Sequence, residues 1–118
     1  METNSYFAEM RREMEANPKK KWTNGEIAAY HVYHDTICYG SNCYECDSLP
    51  WERDIEDFVT TLRRAGIAEM AVTDHSTGLM DRLHKLAEYG AMVQGICKVT
   101  RTTSWGDIET VNGIAVRL

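Results

Sequence analysis

The sequence has 118 residues, a formal net charge of −5, 43% hydrophobic side chains and 26% charged side chains. The length fits one domain, and the composition is that of a globular protein rather than of a disordered chain. A general nucleic-acid binder needs a basic surface, so the acidity argues against that class and favours an acidic surface that meets a basic partner. The N-terminal segment contains no apolar run suited to a signal peptide or a membrane span, which predicts a cytoplasmic protein.

Three helices are predicted in the first half of the chain. Residues 3–16 carry apolar side chains at spacings of four, as in an amphipathic helix. A second helix follows Thr23 or Asn24 as its N-cap, has Glu26 in the capping-box position, and runs to about residue 36. The third helix is predicted within "WERDIEDFVTTLRR", residues 51–64.

The second half of the chain has a different pattern. A short apolar strand is predicted at 69–74, a helix at 76–90, and an alternating strand at 91–103. Residues 108–118 supply one or two further strands. The strand–helix–strand piece should join two parallel strands by a right-handed crossover, with the last strand antiparallel to them.

The element order α-α-α-β-α-β-β predicts a single α+β domain over residues 1–118. Its helical part, about 1–66, should pack on a small mixed sheet formed by the β-α-β-β part, about 67–118.

Three of the four cysteines, Cys38, Cys43 and Cys46, lie within nine residues. In a reducing cytosol such residues are thiols or metal ligands more often than disulfides, and the Cys-x2-Cys half lets two thiolates bind one ion from a tight turn. If the second helix reaches Cys38, His34 lies one turn before it on the same face. Cys38, Cys43, Cys46 and His34 are therefore predicted to hold a structural zinc in a knuckle, residues 34–46, between the second and third helices.

Alternatives to this site remain open. His31, His75 or Cys97 could be the fourth ligand, although a cysteine on a strand is more often a core residue. The Cys-x4-Cys-x2-Cys spacing also occurs in plant-type ferredoxins, but those need a strand-rich chain and a fourth cysteine about thirty residues on. A redox role for "CYEC" would require a preceding strand, which the sequence does not predict. Thiols without a ligand are the last alternative.

Two further groups of residues could carry chemistry. Asp74, His75 and Ser76 lie where the first predicted strand ends and the next helix begins, a place where ligands collect in α/β sheets. Asp74 or Ser76 as a helix cap is the simpler interpretation. Lys19 to Lys21 and Arg63-Arg64 are short basic clusters on an acidic chain.

Residues 57–101 resemble small uncharacterised proteins of Gram-positive mobile elements, plasmids and phages. The matching features are "RAG" before the first strand, "TDHSTGLM" after it, and "GICKVTR" in the next strand. By size, acidity and cysteine motif, the chain also resembles the metal-containing anti-CRISPR inhibitors of type II effector nucleases. This resemblance implies a protein that binds a basic nuclease and blocks its binding of DNA, without catalysis of its own, and it identifies no binding residues.

The sequence thus predicts a zinc-stabilised, non-enzymatic inhibitor that binds a basic protein, with a CRISPR effector nuclease as the implied partner. A small metal-dependent enzyme that uses Asp74 and His75 is the alternative from a different class. A zinc-bearing regulator that binds nucleic acid through its basic clusters is the third.

Overall fold

A computed structural model describes residues 4–118. These residues form α1 (Ser5–Ala16), α2 (Asn24–Tyr39), β1 (Glu45–Cys46), α3 (Ile55–Arg64), β2 (Glu69–Val72), α4 (Leu79–Glu88), β3 (Met92–Thr102) and β4 (Ile108–Arg117), with a 3₁₀ turn at Glu52–Asp54. The α+β class is confirmed, with one unpredicted strand, β1, inside the cysteine segment. The predicted start of the first helix at residue 3 lies outside the described residues. None of the helices in the described range has the length and apolar character of a membrane span.

The strands form one mixed sheet in the order β1-β2-β4-β3. β1 lies parallel to β2, and β4 is antiparallel to both β2 and β3. β2 and β3 therefore run in the same direction, as predicted, but β4 lies between them. The parallel neighbour of β2 is instead β1, whose two residues are too few to produce a periodic pattern in the sequence.

Local hydrogen bonds define both ends of α2. The Thr23 hydroxyl accepts the Glu26 N–H at 3.1 Å, and the Glu26 carboxylate accepts the Thr23 N–H at 2.9 Å. This is the predicted capping box. Gly40 follows the helix at φ +59°, a left-handed conformation that glycine adopts without a steric penalty. α2 therefore extends to Tyr39, beyond the predicted end near residue 36, and includes both His34 and Cys38.

The main core lies between the helices and one face of the sheet. Its largest buried side chain from α1 is Phe7, whose ring stacks on that of Tyr33 at 5.4 Å between centroids. The other members come from all four helices, from β1, β2 and β4, and from the segments between them, and they include Val32, Phe58, Leu62, Leu86, Met70, Val72 and Val116. Phe58, Leu62 and Leu86 are periodic positions of the sequence, which explains why α3 and α4 could be predicted.

The segment between α2 and β1 lies against β3, at the far edge of the sheet. The Asn42 N–H donates to the Thr100 carbonyl at 2.9 Å, and the Asn42 side-chain oxygen accepts the Thr100 N–H at 3.0 Å. The β3–β4 pairing continues to Thr102 and Ile108, well past the end of β2. The long hairpin therefore reaches the segment that contains the cysteines.

Candidate functional site

A cleft of about 610 Å³ lies between α2 and the segment from β1 to α3. Ile27, His31 and Asp35 follow one another at four-residue spacings on α2, so they share the helix face that lines this cleft. Leu49 and Pro50 contribute apolar surface from the opposite segment. The volume falls within the range of small-ligand pockets, which is about 300–1,000 Å³.

Four carboxylates line the cleft: Asp35, Asp47 and Asp54, together with Glu45, which is fully buried and paired with Arg101. Asp35 is only 26% exposed at its side chain, and Asp47 accepts a hydrogen bond from the Tyr39 hydroxyl at 3.1 Å. One oxygen of Asp54 is buried and has no hydrogen-bond partner among residues 4–118; the Arg53 Nε lies 3.9 Å from it. A buried acceptor without a donor is unfavourable, so Asp54 has capacity for a donor from a ligand.

Trp51 and Arg82 form the aromatic and cationic part of the cleft lining. Trp51 is 68% exposed, and its ring centroid lies 5.6 Å from the Arg82 guanidinium carbon. That guanidinium already donates to the Ser76 hydroxyl at 2.7 Å, the Thr77 carbonyl at 2.7 Å and the Leu49 carbonyl at 3.2 Å. Arg82 thus holds the loops around the cleft. Asp35, Asp47 and Asp54, with Arg53 beside Asp54, set the charge that a ligand would meet.

The predicted zinc ligands are only partly brought together. The Cys38 sulfur lies 3.7 Å from Nε2 and 3.8 Å from Nδ1 of His34, which confirms the predicted helix register. Cys46 is 1% exposed and belongs to the main core, where burial raises the pKa of its thiol. Cys43 instead lines a separate cavity of about 230 Å³ together with Cys97.

The four residues therefore do not fit a single zinc site in this arrangement. In residues 4–118, no group of three or more histidine, cysteine or acidic side chains is placed to hold a metal ion. The physical reason is β1: pairing of Glu45 and Cys46 with β2 directs Cys46 into the core, while the bonds of Asn42 to Thr100 hold the preceding residues against β3. Zinc at the four predicted ligands would require this segment to follow a different course.

The Asp74-His75-Ser76 group is used structurally. The two oxygens of Asp74 accept the Ser76 N–H at 2.7 Å and the Leu49 N–H at 2.9 Å. Burial opposes ionisation of Asp74, but these bonds and nearby Arg82 outweigh it and hold its pKa below the ordinary value. His75 is exposed and, within the described range, makes no hydrogen bond to Asp74 or Ser76. The predicted helix cap at Asp74 or Ser76 is wrong, because Gly78 is the N-cap residue of α4 and no side chain caps this helix.

The basic clusters and the remaining histidine alternatives are dispersed. Lys20 forms an ion pair with Glu13 at 3.2 Å and lies over the Trp22 ring. His31 lines the cleft, where Cys46 is the one predicted zinc ligand in the lining. Ile27, His31 and Asp35 share one face of a predicted helix, but the sequence did not indicate that residues 45–54 lie opposite that face. Trp51 next to Pro50 was a local feature that could have indicated the cleft.

Comparison with known proteins places these features in a family. No curated protein and no solved structure matches the chain. Residues 28–118 match a family described as a domain of unknown function, DUF7698. The matched region begins within α2 and includes all four cysteines and most of the cleft lining. Because the match covers well over half of the chain, the protein belongs to the DUF7698 family.

Proposed function

We propose that the protein is a non-catalytic binding protein whose cleft takes a basic side chain from a partner protein. The observation that carries this proposal is the combination of Asp35, Asp47 and Asp54 with an apolar lining and an exposed tryptophan in one cleft.

Lysine and arginine side chains combine an apolar stem with a cationic end, and this matches the lining of the cleft. The stem would lie against Ile27 and Leu49, and the cation would meet the carboxylates. The unpartnered oxygen of Asp54 would accept a donor from the cation. Arginine fits better than lysine, because its planar guanidinium can also stack on Trp51.

The net charge of −5 supports the same kind of partner, because an acidic protein attracts a basic one over a distance and accelerates their encounter. Proteins that bind nucleic acid display such basic surfaces. A type II CRISPR effector nuclease, with the anti-CRISPR role, is the particular partner that the resemblance in size, acidity and cysteine motif implies, and we retain it as the first one to test.

The test measures binding of a labelled arginine-rich peptide, and of a purified type II effector nuclease, to the protein. The D35N/D54N variant removes two cleft charges, and the E56Q/D81N variant removes two exposed charges elsewhere. We expect the cleft variant to weaken binding at least tenfold, which corresponds to about 1.4 kcal/mol, and the control variant to change it little. If both variants lost the same amount of binding affinity, the loss would reflect the total charge of the protein, and a role for the cleft would be refuted.

A structural zinc at Cys38, Cys43, Cys46 and His34 stays a separate proposal, supported by the spacing of the cysteines and by the contact of His34 with Cys38. Elemental analysis of the purified protein should then find about one zinc per chain. Cys43→Ser should lose the metal, and Cys97→Ser, the matched control, should retain it. Protein that contains no zinc after purification without chelators would end this proposal.

A further inference from the structure

We propose that Cys43 and Cys97 are a disulfide-forming pair, which links the segment between α2 and β1 to the edge strand β3 when the protein meets a disulfide oxidant such as oxidised glutathione. This inference is independent of the cleft and its ligand, and it is an alternative to a zinc ion at Cys43, because a thiolate that binds zinc is not free to form a disulfide.

The backbone places the two thiols at one cavity. Both line the cavity of about 230 Å³, and both are partly accessible to solvent. Asn42, the residue before Cys43, forms two hydrogen bonds with Thr100 of β3. Thr100 lies three residues after Cys97 on the same strand. These bonds hold the segment that contains Cys43 alongside the strand that contains Cys97, and a disulfide between two segments requires that they lie side by side.

The sheet leaves room for the pair. Cys97 lies opposite Gly113 in the β3–β4 register, so the residue directly opposite it has no side chain. Ala71 and Ala115 line the same cavity with small side chains. The space around Cys97 is therefore suited to a second sulfur atom.

The other two cysteines are matched controls within the same chain. Cys38 is exposed on α2 beside His34, and Cys46 is buried in the main core. Neither lines the cavity of Cys43 and Cys97. If reactivity followed sequence proximity, Cys43 would pair with Cys46 or Cys38 instead.

The reaction is two successive thiol–disulfide exchanges. One protein thiolate attacks a sulfur of oxidised glutathione, forms a mixed disulfide and releases one glutathione thiolate. The second protein thiolate attacks the protein sulfur of the mixed disulfide and releases the second glutathione. The protein dithiol loses two electrons and two protons, and the glutathione disulfide is reduced to two thiols.

The test equilibrates the reduced, full-length protein with oxidised glutathione, alkylates the remaining thiols and maps the peptides by mass spectrometry. We expect a Cys43–Cys97 linkage, with Cys38 and Cys46 not joined to either residue. C97S should stop at a mixed disulfide with glutathione on Cys43, while C38S should still form the internal bond; circular dichroism checks that both variants are folded. A Cys43–Cys46 or Cys38–Cys43 linkage, or unlinked Cys43 and Cys97 in the folded parent after equilibration, would overturn the proposal.

Discussion

Glu45 is a carboxylate without solvent exposure whose hydrogen bonds connect distant parts of the chain. The hydroxyls of Ser41 and Thr73 each donate to it at 3.1 Å, and Nη1 of Arg101 lies 2.5 Å from its second oxygen. The Arg101 guanidinium also lies 5.3 Å from the Tyr39 ring centroid. A buried carboxylate is tolerated when it is paired, so this cluster stabilises the segment after α2 against β2 and β3.

At this residue scale we predict that Arg101→Met lowers the free energy of unfolding by about 3–5 kcal/mol, because it leaves the Glu45 carboxylate buried without its cation. The measurement is urea unfolding. The double variant E45Q/R101M should recover part of the loss, since it removes the buried charge as well. Arg64→Met, at an exposed arginine, should change stability by less than about 0.5 kcal/mol. Similar losses for Arg101→Met and Arg64→Met would contradict this account of Glu45.

At the scale of elements, the contact between α2 and α3 depends on a glycine. A Cβ atom at Gly25 would lie 2.7 Å from the backbone nitrogen of Phe58 and 2.8 Å from the Cβ of Asp57. The Thr23 hydroxyl also donates to the Asp57 carboxylate across the same contact. The start of α3 can therefore approach α2 only where the side chain is absent, and this approach forms one end of the cleft.

We predict that Gly25→Ala destabilises the protein, although alanine is favoured over glycine in a helix by about 1 kcal/mol. The backbone of α3 cannot give way without moving the core residue Phe58, and such overpacking costs about 1–3 kcal/mol. Asn24→Ala, at the neighbouring exposed position, is the control and should have a small effect in the same urea titration. An increase in stability for Gly25→Ala would show that α3 moves away freely.

For the whole molecule, the sequence predicted the features that arise from local periodicity and local hydrogen bonds. The α+β class, the capping box of Thr23 and the placement of His34 beside Cys38 are of this kind. Features that arise from pairing between distant segments were missed. Glu45 and Arg101 are 56 positions apart, and the sequence around each residue does not predict their ion pair.

The candidate site shows the same division. Cys38, Cys43 and Cys46 were assigned to one zinc site from their spacing alone. The sequence around them did not indicate that residues 45–46 join the sheet. Once β1 forms, alternate residues of this segment face opposite sides, and nearness in sequence no longer means nearness of the sulfur atoms. The structure instead places Cys43 at the same cavity as Cys97, which is 54 residues away in the numbering.

The three tryptophans sit in distinct surroundings, and this makes the protein its own optical probe. Trp22 is half-buried beside Lys20, Trp105 is 89% exposed in the β3–β4 turn, and Trp51 borders the cleft. The emission of Trp105 should resemble that of an indole in water, so its replacement by phenylalanine would remove a constant background. The remaining fluorescence change on titration would then come chiefly from Trp51, and occupancy of the cleft could be followed without any attached dye.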